Sequence, residues 1–427
     1  MPRLLYTLFL WLLLPYIFIR LWWRGRKQPD YLKHWGERFG FYPARINNKP
    51  IIWLHAVSVG ETRATVSLVA QLRAAYPQHQ ILFTHTTPTG RDTSVQLYGD
   101  AVQRVYLPYD YPFAVRRFLR HFRPQLGILM ETEVWVNLNH AAQRARVPLL
   151  LLNARMSAKS ARGYARFAAL TRPALQGFTA IAAQTADDAE RLQQLGATQL
   201  SIMGNLKFDI QPPPAMLDLG KTLRQQFGTH RPVFLAASTR EGEETLLLAA
   251  FAALPEPCPL LLLVPRHPQR FAEVETLIQQ HGLCCQRRSL NQPVPAEVDV
   301  VLGDSMGELF AYYAAADLAF IGGSLLPFGG QNLIEASSVG TPVLIGQHTH
   351  NFADASRLAV EAGAAKRVHD ARDLFATSQM LLNTPIALAD MSERAKHFVA
   401  EHQGATQKAM YVVRKSCCNA ILPPATG

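Results

Sequence analysis

The sequence predicts an α/β protein of two doubly wound domains behind an N-terminal apolar helix. Three observations carry this reading. Leu4 to Trp23 is an apolar run with a single charge, short apolar segments alternate with helically periodic ones along the rest of the chain, and the alternation starts afresh after three consecutive prolines, Pro212 to Pro214. At 427 residues and the usual ~100–200 residues per domain, two domains and an additional segment fit the length.

The additional segment comes first. "LLYTLFLWLLLPYIFIRLWW" has only Arg20 as a charge and is about long enough to cross the hydrocarbon core of a bilayer as a helix. A cleaved signal peptide has a shorter apolar core and a small-residue cleavage site, and neither "YIFIRLWW" nor "RGRKQPDY" supplies one. An uncleaved anchor over residues 1–27 is therefore expected. Arg24, Arg26 and Lys27 follow the run, and by the positive-inside tendency they are expected to hold that end, and with it the rest of the chain, on the cytoplasmic side of the membrane. Pro15 and Arg20 leave open whether the helix spans the membrane or lies in its surface.

Residues 28–210 form the first expected domain. Its strands are "IIWL", "ILFTH", "RVYLP", "LGILM", "PLLLLN", "AIAAQ" and "LSIMG", separated by stretches of helical periodicity such as "TRATVSLVAQLRAAY" and "TADDAERLQQLG". This alternation means a parallel sheet covered by helices on both faces. "DIQPPPAML" then reads as a stiff connector, since three prolines continue neither strand nor helix. Residues 211–427 repeat the design with "VFLAAS", "PLLLLVP", "VDVVLG", "LAFIGG" and "TPVLIG". Open parallel sheets bind ligands beyond the carboxyl ends of their strands, so two of them imply a cleft. Neither GxGxxG nor GxxxxGK[ST] occurs, which removes the dinucleotide and P-loop fingerprints.

Composition narrows the partners. Lys and Arg number 43 against 32 Asp and Glu, a formal charge of +11 that favours phosphates or acidic lipids. The basic residues are scattered and no nucleic-acid-binding signature appears, so nucleic acid is not an expected partner. Cys258, Cys284, Cys285, Cys417 and Cys418 have neither metal-ligand nor disulfide-framework spacing and read as thiols of a reducing compartment.

Chemistry is sought at the strand ends. Glu61 follows the first strand and opens its helix, where an acidic residue gains ~0.3–1 kcal/mol from the macrodipole without any further role. Glu131 and Glu133 follow the fourth strand beside Trp135, and Lys207 follows the last strand of the first half. Two carboxylates against an apolar strand end are costly unless paired or open to solvent. In the second half, Pro265, Arg266 and His267 end an apolar strand, with the guanidinium suited to a phosphate or carboxylate. "GDSMGELF" leaves the backbone N–H groups of Met306, Gly307 and Glu308 able to meet an anion. The pairs Gly322-Gly323 and Gly329-Gly330 bracket a loop ending at Asn332, where a helix is expected to begin. Asn332 and Glu335 fit a variant of the capping box. They fit equally a nucleotide-sugar site in which the helix start meets phosphate and the carboxylate accepts from ribose.

These segments resemble one family. "HAVSVGE", "METEVW", "GNLKFD", "VPRHP", "GDSMGEL" and "GGSLLPFGGQNLIEA", in this order behind an anchor followed by "IRLWWRGRK" and "WGERFGFY", are similar to the motifs of the Kdo transferases. Those are membrane-associated GT-B glycosyltransferases that move 3-deoxy-D-manno-oct-2-ulosonic acid (Kdo) from CMP-Kdo to a lipid A precursor, lipid IVA. The resemblance runs from about Leu4 past residue 400. It implies two Rossmann-like domains, the first binding the acceptor and the second the CMP-sugar. It implies Glu61 as general base, and Glu131 and Lys207 as groups that stabilise the transition state. For the cytidine nucleotide it implies Pro265 and Arg266, the turn Met306, Gly307 and Glu308, and the helix start Asn332, Leu333, Ile334 and Glu335.

Departures from the family pattern are Val134 and Val136 around Trp135, Gln331 before Asn332, and Arg240 after the first strand of the second half. The last two lie near the expected donor site. The implied reaction is an inverting single displacement that needs no metal or other cofactor. Other readings are another GT-B glycosyltransferase of envelope biosynthesis and a non-catalytic membrane-bound lipid-binding scaffold.

Overall fold

The computed structural model describes residues 2–44 and 47–420. The chain divides into two compact units, one running to Asp209 and taking up the segment from Gln403 onward, the other covering Ile210–His402.

In the first unit all seven expected runs are strands: β1 (Ile51–His55), β2 (Gln80–His85), β3 (Gln103–Tyr106), β4 (Leu126–Met130), β5 (Leu149–Ala154), β6 (Ala180–Ala183) and β7 (Leu200–Ile202). They form one parallel sheet of order β3-β2-β1-β4-β5-β6-β7. The apolar runs are continuous because both faces are covered. Ile51, Trp53, Leu129 and Leu151 enter one core, while Ile52, Leu54, Ile128 and Leu152 enter the other. "TRATVSLVAQLRAAY" is two helices rather than one, Val59–Ala64 and Val66–Ala75. They part at Thr65, whose hydroxyl donates back to the Thr62 carbonyl at 2.7 Å and tightens the turn.

The second sheet contains β8 (Val233–Thr239), β9 (Leu260–Pro265), β10 (Cys285–Arg287), β11 (Val300–Leu302), β12 (Leu318–Ile321), β13 (Val343–Ile345) and β14 (Ala365–Arg367). Its order is β10-β11-β9-β8-β12-β13-β14. β10 and β14 were not expected. Each is a three-residue edge strand with charged or amide side chains, "CQR" and "AKR", so hydropathy does not mark them. Of the three linker prolines, Pro214 opens the helix Pro214–Phe227, since a first-turn position needs no N–H.

The last helix corrects the expected boundary at 211–427. Ala405, Ala409, Met410 and Val413 are buried in the first unit's core with Leu54, Phe83 and Ile128. Asp209 fixes its start by accepting the N–H of Gly404 at 2.7 Å and that of Thr406. Helical spacing identifies an apolar face without naming the sheet it covers.

The N-terminal helix, Pro2–Lys27, continues through Pro15. At 26 residues it is about 39 Å long, and among the described residues it alone is long and apolar enough to cross a membrane. One side docks on the first unit. The Tyr6 hydroxyl donates to Asp110 at 3.0 Å, Thr7 donates to Asn137 at 3.2 Å and Phe18 stacks on Phe39 at 5.0 Å. Leu8, Leu12, Ile19 and Trp22 on the rest of the helix are exposed.

Candidate active site

Strand order reverses between β1 and β4 in the first sheet, and in the second it reverses between β8 and β12 and again where β11 lies between β10 and β9. Loops leaving adjacent strands there diverge to opposite faces and open a crevice at the carboxyl ends. The expected site residues stand at the carboxyl ends of strands at and beside these places.

In the first unit, β1 ends at His55 and the helix Val59–Ala64 begins after Ser58, whose hydroxyl accepts the Glu61 N–H at 3.2 Å. The half-buried Glu61 side chain turns back, and its Oε2 accepts the Val57 N–H at 2.9 Å. Glu131 lies directly beyond β4 with φ of 58°, a left-handed conformation that costs a non-glycine residue about 1–2 kcal/mol. Its Oε1 stands 3.6 Å from Lys207 Nζ, each side chain about four-fifths covered. Burial first, and then the Glu131 charge, raise the Glu61 pKa above the ordinary carboxylate value, against the Val57 N–H and the Ser58 hydroxyl. Glu61, Glu131 and Lys207 therefore come together from three separate segments.

Glu133, whose charge also acts on Glu61, has partners of its own. Trp135 Nε1 donates to Glu133 Oε2 at 2.6 Å, and His55 Nε2 is 3.7 Å from the same oxygen. His55 is fully buried, with Nδ1 on the Thr84 carbonyl at 3.0 Å.

A buried amide network aims Lys207. Asn153 Oδ1 accepts the Leu206 N–H at 3.0 Å, Gln184 donates to the Asn153 carbonyl at 3.0 Å, and Asn205 donates to Gln184 at 3.1 Å while accepting the Lys207 N–H at 3.0 Å. Sequence reasoning passed over Asn153 and Gln184. The available signal was an amide ending each of two apolar runs, "PLLLLN" and "AIAAQ".

In the second unit the expected donor-site residues stand at the carboxyl ends of the neighbouring strands β11, β9, β8 and β12. Pro265 closes β9 and is buried, and the half-buried Arg266 follows it with its N–H on the Thr239 carbonyl at 3.0 Å. In the turn after β11, Met306 is exposed and Gly307 has φ of 85°. The Glu308 carboxylate accepts from Ser305 at 2.6 Å and lies 3.3 Å from Arg288, a residue the sequence did not single out.

The helix after the glycine loop starts at Ile334, two residues later than expected. Asn332 accepts the Ile334 N–H at 3.1 Å and donates its amide to Glu335 at 3.1 Å, so the pair is linked side chain to side chain rather than as a capping box. Leu333 and Ile334 are buried, leaving only their main chain to meet a ligand.

The glycine loop is clamped by an unanticipated carboxylate. Glu243 is fully buried and accepts the N–H groups of Gly323 at 2.6 Å, Arg240 at 2.9 Å and Leu325 at 3.0 Å. A Cβ on Gly322 would lie 2.5 Å from the Ser238 carbonyl oxygen, so glycine is required there. Arg240 lies 4.7 Å over the Phe328 ring and 3.1 Å from His267. Among the described residues there is no cluster of three metal-ligating side chains.

The profile described as 3-deoxy-D-manno-octulosonic-acid transferase (kdotransferase) matches residues 33–210. The 3-deoxy-D-manno-octulosonic acid transferase of Bordetella pertussis is 45% identical over 426 residues, covering 96% of this chain and 98% of the relative. The chain belongs to the Kdo transferase family. It is thus a glycosyltransferase that acts with Kdo in lipopolysaccharide synthesis.

The Haemophilus influenzae 3-deoxy-D-manno-octulosonic acid transferase is 37% identical, covering 97% of this chain and 98% of its own length. A crystal structure of a glycosyltransferase from Rickettsia africae superposes with a TM-score of 0.56 at 14% identity, covering 87% of this chain and all of that one. The architecture is the GT-B fold.

Proposed function

We propose that the chain transfers Kdo from CMP-Kdo to a lipid A precursor, lipid IVA, on the cytoplasmic face of the inner membrane, with Glu61 as general base. The observation that carries this reading is the convergence of Glu61, Glu131 and Lys207 at the reversal point of the first sheet, with Lys207 3.6 Å from Glu131. In the inverting displacement, the acceptor oxygen bonds to the anomeric carbon of Kdo as its proton passes to Glu61. The bond from that carbon to the phosphate oxygen breaks, and CMP leaves with the electron pair. Glu131 steadies the positive charge that develops on the sugar, and Lys207 offsets the charge of the phosphate or of the Kdo carboxylate. The second unit holds the cytidine nucleotide through Arg266, the turn at Met306 to Glu308 and the Asn332–Glu335 helix start. The reaction is assigned no metal or other cofactor, the positive charge being supplied by the Lys207 ammonium and the Arg266 guanidinium. The exposed apolar side of Pro2–Lys27 holds the enzyme at the bilayer.

The test is to incubate the full chain with CMP-Kdo generated in situ and a tetra-acylated lipid A precursor, and to weigh the lipid product. A gain of one or more Kdo units is expected, and Glu61→Gln should lower the rate by ~10²–10⁴-fold with little change in thermal midpoint. Transfer only from ADP- or UDP-sugars would assign another donor, and a folded Gln variant at wild-type rate would remove Glu61 from the chemistry.

A further inference from the structure

A cavity of about 370 Å³ lies between the N-terminal helix and the first sheet, lined among others by Arg20, Leu21, Arg24, Arg38, Val57 and Glu133. Arg38 comes from the segment "WGERFGFY", to which the reaction gives no role. It is 3% exposed, yet its Nε and Nη2 have no hydrogen-bond partner. Its Nη1 donates to the Thr86 carbonyl at 3.0 Å and its guanidinium lies 4.1 Å over the Tyr106 ring. The adjacent Glu37 does not pair with it, because that carboxylate accepts the Tyr106 N–H at 2.7 Å and faces Arg91 at 3.4 Å. Two buried nitrogens of a cation left without a hydrogen-bond acceptor are expensive unless an anion completes them.

Arg20 and Arg24 stand one helical turn apart and bring two more guanidinium groups to the same cavity. Beside them the helix exposes Ile19, Trp22 and Trp23. The cavity is also lined by Val57, whose N–H holds the Glu61 carboxylate at 2.9 Å.

We propose that this cavity binds a phosphate group of the acylated acceptor, with Arg38, Arg20 and Arg24 as its forks and the acyl chains lying along the exposed apolar side of the N-terminal helix. The inference rests on the acceptor reading above. Guanidinium groups match phosphate in a planar, bidentate way, and an apolar helix beside them selects an amphiphile over a free ion. A phosphate seated here lies beside the loop that carries Glu61, so its binding places the acceptor rather than the donor.

The test measures binding apart from transfer. Full-length wild type, Arg20→Gln/Arg24→Gln and Arg38→Gln are titrated with phosphatidylcholine nanodiscs carrying the tetra-acylated lipid A precursor, or the same lipid after phosphatase treatment. Arg20 and Arg24 are exposed, so the double variant tests the cavity even if loss of Arg38 unfolds the chain. Wild type should bind the phosphorylated lipid about tenfold or more tighter than the treated one, and either folded variant should lose most of that difference while binding CMP as before. Equal affinity for the two lipids in wild type, or an undiminished difference in the double variant, would overturn the proposal. So would equally tight binding of phosphatidylglycerol nanodiscs, which reduces the arginines to general surface charge, or of inorganic phosphate, which removes the lipid. Failure of Kdo transfer with this selectivity intact would instead count against the proposed reaction.

Discussion

Glu61 is pulled in two directions. The first turn of its helix and the Val57 N–H favour the ionised form, whereas burial and the Glu131 carboxylate disfavour it and prevail. A base must be ionised to accept a proton, so the rate should rise with pH through the Glu61 titration and reach its plateau later than an ordinary glutamate at ~4.3 would allow. Glu131→Gln removes the neighbouring charge and should move this acid limb to lower pH, whatever it does to the plateau. A pH profile of single-turnover transfer checks it, and an unmoved limb would separate the two carboxylates. Glu61, Glu131 and Lys207 were legible because each stands at the end of an apolar run, where a charge needs a reason. The amides that aim Lys207 were not, since Asn153 and Gln184 acquire their meaning only when β5, β6 and the turn after β7 come together.

The glycine loop of the second sheet is an element whose shape is set from outside. Gly329 and Gly330 take φ of 94° and 75°, and Glu243 gathers three backbone N–H groups around the other end. Glu243→Ala leaves those donors buried without an acceptor, at ~1–3 kcal/mol for each one that water does not reach. Its thermal midpoint and its CMP affinity should therefore fall together. Glu335→Ala, by contrast, should weaken CMP binding by the ~1.5–3 kcal/mol of a hydrogen bond to a charged group while the fold stays as stable. Calorimetry with CMP beside thermal unfolding separates the two, and unchanged affinity in the Glu335→Ala variant would remove Glu335 from nucleotide binding and leave it a structural role. Twelve of the fourteen strands could be read from apolar runs, but β10 and β14 are edges whose pairing, not hydropathy, makes them strands. The glycines were likewise legible without the carboxylate that orders them, because Glu243 lies eighty residues from Gly323.

At the scale of the molecule, titration should reveal which unit yields first to acid. Burial, and secondarily the charge of His55, push the His85 pKa down to about 3, while its Nδ1 and Nε2 stay engaged with Ala56 and Ser94. The folded unit therefore binds fewer protons here than the unfolded chain, whose histidines titrate near ~6.5. This contribution is complete above that pH and is lost as pH falls toward 3. Asp110 has the opposite sign. Burial raises its pKa to about 6 despite the Asn137 and Leu138 N–H groups and the Tyr6 hydroxyl, so its contribution declines as pH rises from the unfolded value of ~3.9 toward 6. Between pH 7 and 6 His85 lowers stability with a slope of at most ~1.4 kcal/mol per pH unit. His140, whose pKa burial also lowers, acts in the same sense, and Asp110 increasingly offsets both as pH approaches and passes below 6. All six tryptophans, Trp11, Trp22, Trp23, Trp35, Trp53 and Trp135, belong to the first unit, so intrinsic fluorescence during urea unfolding reports on that unit by itself. The urea midpoint should drop between pH 7 and 6 and flatten below, and His85→Gln should lessen the first drop. A Gln variant with the wild-type slope would show that His85 takes up its proton in the folded state.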